Sequence, residues 1–209
     1  VRAARIHLRK ACPAMGPLLK ISRLIDAISN LVGRTLIWLV LAATLISAGN
    51  AIVRKTLNIG SNAMLEIQWY LYAAVFMLGG GYALLKNTHV RIDVLSNKFS
   101  ARTRAWVDIG GILIFLLPMC YLLSVFAWPI VMSAIKTGEV SSNAGGLIRW
   151  PLYALVPAGF GLLALQGLSE LIKRIAFLRG AGPDPMALPH DPHADSGAAP
   201  DAPAAKAGQ

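Results

Sequence analysis

The sequence predicts an all-α integral membrane protein with four transmembrane helices and short interfacial helices near residues 18–32 and 89–99. Three observations carry that reading. The 209 residues are 56% hydrophobic and only 14% charged, with a mean hydropathy of +0.57, whereas soluble domains carry about 25% charge. The apolar residues gather in runs long enough for a bilayer core of ~30 Å, which takes about 20 helical residues. The cations flank those runs. Seven of the 20 Lys and Arg lie up to Arg34, five from Lys86 to Arg104 and four from Lys173 onward, against only Arg54, Lys55, Lys136 and Arg149 on the opposite side. Loops rich in Lys and Arg stay cytoplasmic, so both termini are expected inside. The same distribution accounts for the net charge of +10 by topology and not by phosphate contacts, and no nucleic acid is expected as a partner.

Residues 1–17 are basic and irregular, with Arg2, Arg5, Arg9 and Lys10 ahead of Pro13, Gly16 and Pro17, and read as a disordered segment. From Leu18 to Val32 apolar residues recur at spacings of three and four while Lys20, Arg23 and Asp26 take the other face. Two readings fit: an amphipathic helix in the headgroup region, or a plain extension of the first span. The four-span domain, residues 18–179, has its first span at about 35–53. A turn rich in Asn, Gly and Ser precedes the second, 64–85, which contains Glu66, Gln68 and the small-residue patch Gly79-Gly80-Gly81, a site for close helix approach.

The loop after it holds His89, Arg91 and Asp93, and Ile92, Leu95 and Phe99 recur at helical spacing, hence the second interfacial helix. Ser100 reads as the N-cap of the third span. That span, 106–135, is long for a bilayer at ~45 Å, so it must tilt, project or bend at Pro118. Trp128-Pro129 marks its far interface. A turn-forming stretch with Glu139 leads to Trp150-Pro151 and the fourth span, 151–172, which is expected to end at Lys173-Arg174. Residues 180–209 lack periodicity and read as a disordered tail.

Chemistry is sparse along this chain. Cys12 and Cys120 form no CxxC, no histidine lies in a span, and no nucleophile has a partner at a useful spacing. No enzyme activity, cofactor or metal site is expected. Ionisable groups at membrane depth are functional candidates by default. Arg104 and Asp108 are four residues apart on one helical face, so the pair reads as an ordinary intrahelical bridge. Glu66 is placed to meet Arg54, Lys55 or a partner subunit. No internal repeat or pair of broken spans suggests a complete transporter.

An ordered set of short motifs then resembles the small membrane subunits (DctQ-type) of tripartite ATP-independent periplasmic, or TRAP, transporters. It comprises Ser61 to Tyr70, Asn87 to Val94, Arg104 to Asp108, Trp128-Pro129, Gly138-Glu139, Gly145-Gly146-Leu147 with Trp150-Pro151, and Leu165-Gln166-Gly167. The likeness covers about residues 18–179. It implies a bacterial inner-membrane subunit that braces a large membrane (permease) subunit during sodium-coupled uptake of an organic acid delivered by a periplasmic substrate-binding protein. The candidate interface to that partner or to membrane lipids is Glu66, Gln68, His89, Arg91, Asp93, Arg104, Asp108, Trp128, Glu139 and Trp150, with Arg91 and Asp93 expected to pair across the central loop. The alternative expectation is a membrane adaptor or assembly subunit of another complex, with no transport role.

Overall fold

A computed structural model describes residues 15–57, 61–86, 100–143 and 145–180. It contains five helical stretches: α1 (Met15–Leu57), α2 (Asn62–Leu85), α3 (Ala101–Gly111), α4 (Leu117–Thr137) and α5 (Trp150–Leu178), with a single π-helical turn, Ile112–Leu116, joining α3 to α4. No strand occurs among the described residues. α1, the continuous α3–α4 rod and α5 are long and apolar enough to cross a membrane. α2 has 24 residues, enough length to cross, but Glu66, Gln68 and its three glycines lower its hydropathy. Most of the basic segment read at 1–17, the expected interfacial helix at 89–99 and the tail read at 180–209 lie outside the described residues, apart from residues 15–17, which open α1, and Gly180.

α1 is one unbroken helix of 43 residues, ~65 Å long, so the stretch 18–32 continues directly into the first span. Its buried face is not the apolar stripe of residues 18–32, although Lys20 and Arg23 are exposed as well. Ser22, Ser29, Gly33, Leu36 and Ala43 form the buried stripe, while Leu18, Ile21, Leu24 and Ile28 are exposed. Apolar side chains lose nothing by facing lipid, whereas hydroxyls and carboxylates there need partners inside the protein.

α5 sits at the centre and touches α1, α2, α3 and α4. Its contact with α2 is the closest. A Cβ at Gly159 would lie 2.5 Å from the Met77 carbonyl oxygen, so only glycine fits. The predicted patch Gly79-Gly80-Gly81 makes looser contacts, with Gly79 against Leu36 and Gly81 against the Leu162 backbone at 3.4 Å or more. Sequence pattern found the right helix, but the glycines pressed hardest against it sit on its neighbours, Gly159 of α5 on the Met77 backbone and Gly33 of α1 on the Tyr82 ring.

Ser100 caps α3 as expected, its side chain accepting from the Thr103 amide at 3.3 Å. Tilt, projection and a bend at Pro118 are the three expectations for this long span; what the structure shows near Pro118 is a π turn just before it, with Pro118 in the first turn of α4. Proline lacks an N–H and crowds the carbonyl four residues back, and a widened turn relieves both constraints. α5 runs to Leu178, six residues beyond the expected end of the fourth span. Lys173 and Arg174 do not terminate the helix as flanking charges. Arg174 is only 2% exposed, because carboxylates on other turns and helices neutralise both cations.

The connection between α4 and α5 is a folded turn. Gly138 ends α4 in the left-handed conformation at φ 62°, Val140 and Ile148 form an isolated antiparallel bridge, and the Ser141 amide donates to the Leu147 carbonyl at 2.9 Å.

Candidate functional site

Polar groups collect at two places, and each holds parts of the chain that are distant in sequence. The first lies where the N-terminal half of α1 meets the C-terminal half of α5. The hydroxyls of Ser22 and Ser169 are 2.8 Å apart. Ser169 donates to Asp26 Oδ1 at 2.8 Å, Ser29 donates to Gln166 Oε1 at 2.7 Å, and Gln166 Nε2 donates to Asp26 Oδ1 at 3.0 Å. Lys173 Nζ lies 2.7 Å from Asp26 Oδ2 and 2.9 Å from Glu170 Oε1. The Arg174 guanidinium then pairs with Glu170 one turn back and, through Nε at 3.0 Å, with Asp108 Oδ2 on α3. One continuous network therefore ties α1, α3 and α5. Gln166, Ser169, Glu170 and Arg174 are buried, where an unmatched polar group is costly and a matched one fixes register.

The second cluster folds the α4–α5 turn onto α2. Glu66 accepts from the Ser141 hydroxyl, from Asn143 Nδ2 at 2.8 Å and from the Leu147 amide at 2.7 Å. Tyr70 donates its hydroxyl to the Ile148 carbonyl at 3.1 Å. Within the turn, Arg149 Nη1 and the Tyr153 hydroxyl both reach Glu139 Oε1, at 3.2 and 3.3 Å. The turn closes because a carboxylate with several acceptor sites gathers donors the loop backbone leaves over. Replacing Glu66 with alanine is accordingly expected to free the turn. Limited proteolysis at residues 138–149 should speed up about tenfold, with the helices left intact, and an unchanged cleavage rate would refute the clamp.

The sequence-predicted residues are distributed unevenly over these features. Glu66 and Glu139 belong to the turn, and Glu66 meets loop donors and not Arg54 or Lys55. Asp108 bridges between helices to Arg174 instead of pairing within its own helix with Arg104, whose buried Nε has no hydrogen-bond partner. The reason is reach: α5 brings a buried guanidinium to Asp108. Gln68 lines a groove with Arg54 and Lys55. Trp128 is exposed on α4 and Trp150 opens α5. His89, Arg91 and Asp93 lie outside the described residues.

Sequence reasoning passed over Ser22, Asp26, Ser29, Gln166, Ser169, Glu170, Lys173 and Arg174 as a set. A signal was there: Ser22, Asp26 and Ser29 share one helical face by their spacing of four and three, and Glu170 precedes Lys173 and Arg174 at pairing distance. Among the described residues no group of His, Cys, Asp or Glu side chains is arranged to hold a metal ion. The chemistry these clusters perform is attachment.

Fold and clusters together define a multi-pass helical membrane protein in which these two polar clusters hold its own helices and turn together. Comparison with family profiles makes the assignment specific. The profile "Tripartite ATP-independent periplasmic transporters, DctQ component" matches residues 43–177, and the chain belongs to that family. Comparisons with curated proteins and with solved structures gave no match.

Proposed function

We propose that this chain is the small permease subunit of a TRAP-type secondary transporter, scaffolding the large membrane subunit during sodium-coupled uptake of an organic acid or related solute that a periplasmic substrate-binding protein delivers. Membership of the DctQ family carries this reading. The geometry supports it, because the ionic network stiffens α1, α3 and α5 from within while large apolar side chains such as Trp38, Phe76, Phe115 and Phe126 stand exposed for lipid or a neighbouring subunit.

In this reading all four hydrophobic segments cross the bacterial inner membrane, with both termini cytoplasmic, as the Lys and Arg distribution favours. The basic loop from Lys86 to Arg104 and the residues Trp128, Glu139 and Trp150 are assigned to contacts with the large subunit or lipid headgroups. Reconstitution tests the proposal. Liposomes containing the large subunit, this chain and the binding protein are expected to show sodium-dependent uptake that is lost when this chain is left out. Solute flux through this chain alone, or full flux without it, would overturn the proposal.

A further inference from the structure

Where α1 ends and α2 begins, the two helices enclose a groove of about 390 Å³ lined by Ser47, Asn50, Arg54, Lys55, Leu65 and Gln68 among others. Its polar lining consists of donor-bearing side chains, and no acid lines it. Neither Arg54 nor Lys55 is in an ion pair with a described residue. Gln68 Nε2 is buried without a hydrogen-bond partner, although a buried amide donor is normally satisfied. Three of these polar residues, Ser47, Asn50 and Gln68, interrupt apolar helices, where such groups need a polar counterpart.

We propose that this groove binds an anionic phospholipid, with Arg54 and Lys55 on the phosphodiester and Asn50, Ser47 and Gln68 on the glycerol ester carbonyls. The spacing favours a lipid over a smaller anion. Ser47 and Lys55 are two turns apart, ~12 Å along the helix, so the donors are spread over depth. A phosphate and its ester carbonyls are also spread in that way. A single carboxylate or a free phosphate presents its oxygens at one level. Cations lie at the helix end, where headgroups sit, and the amides and hydroxyl lie toward the apolar interior. Leu65 and, one turn on, Trp69 are 42% and 72% exposed, giving the acyl chains an apolar wall with an aromatic side chain at interfacial level.

The test uses the full chain purified in detergent and follows its thermal midpoint as lipid is added. Phosphatidylglycerol is expected to stabilise the wild type, with phosphatidylcholine weaker and inorganic phosphate without effect. Each Lys or Arg contributes about a factor of five to anionic-lipid affinity, so the exposed double variant R54Q/K55Q is expected to bind phosphatidylglycerol about 30-fold more weakly. Lys136→Gln removes a cation outside the groove and is expected to change nothing. Equal stabilisation by phosphatidylcholine or by inorganic phosphate overturns the proposal, as does an equal loss in K136Q. Unchanged lipid binding in R54Q/K55Q with lost copurification of the large subunit would give the groove to a protein carboxylate, and that too overturns it.

Discussion

Replacing Arg174 with methionine is expected to destabilise the protein by about 3–5 kcal/mol, the usual cost of removing one partner from a buried ion pair. Arg174 is almost wholly enclosed and its guanidinium serves Glu170 and Asp108 at once. The variant strips that charge from two carboxylates on different helices, one of them only 3% exposed at its side chain. Lysine at the same position keeps the charge but lacks the planar fork that addresses two carboxylates together, so R174K is expected to fall between the two. The triple change D108N/E170Q/R174M removes all three charges and is expected to recover most of the loss, since well-packed neutral groups can replace a buried charge cluster at little cost. Unfolding midpoints in detergent measure the series. If R174M unfolds with the wild type, the network does not hold the helices together.

Enlarging Gly159 is expected to have the next largest effect, for a steric reason. A Cβ there would meet the Met77 carbonyl oxygen at 2.5 Å and its carbon at 2.8 Å. These are backbone atoms of α2, so no rotamer change relieves the contact and the helices must separate. Overpacking of this kind costs about 1–3 kcal/mol, and the loss is expected to grow from alanine to valine to leucine. Gly161 is the internal control. It lies on the same helix with open space where its Cβ would point, and G161A is expected to be neutral or to gain up to about 1 kcal/mol from helix propensity. Thermal midpoints of the two alanine variants decide the matter. Equal values would show that close approach at Gly159 is not required.

Both predictions concern residues that the sequence left in the background, and the reason is instructive. Lys173 and Arg174 follow an apolar run, and in one dimension a cation after such a run looks like a flank. Only their neighbours in space show otherwise. Asp26 and Lys173 are separated by 147 positions, and their pairing depends on the rotation of α1 about its axis and on its crossing with α5. Gly159 raises a similar difficulty: a lone glycine in an apolar helix and one pressed against a carbonyl have the same one-letter context. The triple glycine of α2 was easier to notice and proved less tightly packed. Glu66 was legible as an ionisable group near a helix end, but its partners sit in a turn some 75 to 81 residues on, and turn conformation is not written in periodicity.

By itself the sequence determined the all-helical membrane class, the starts of α2 and α5 to within two residues, the cap at Ser100 and the family. These follow from hydropathy, capping chemistry and backbone sterics, which act over a few neighbouring residues and are therefore local in the chain. Tertiary structure alone decided which helix stands at the centre, that the Ser22, Asp26 and Ser29 face of α1 turns inward while Lys20 and Arg23 stay exposed, and which carboxylate meets which cation. Those choices depend on helix rotation and crossing. In lipid that rotation is set by polar partners and close-packed glycines and not by burial of apolar surface, because the surroundings are as apolar as the side chains themselves.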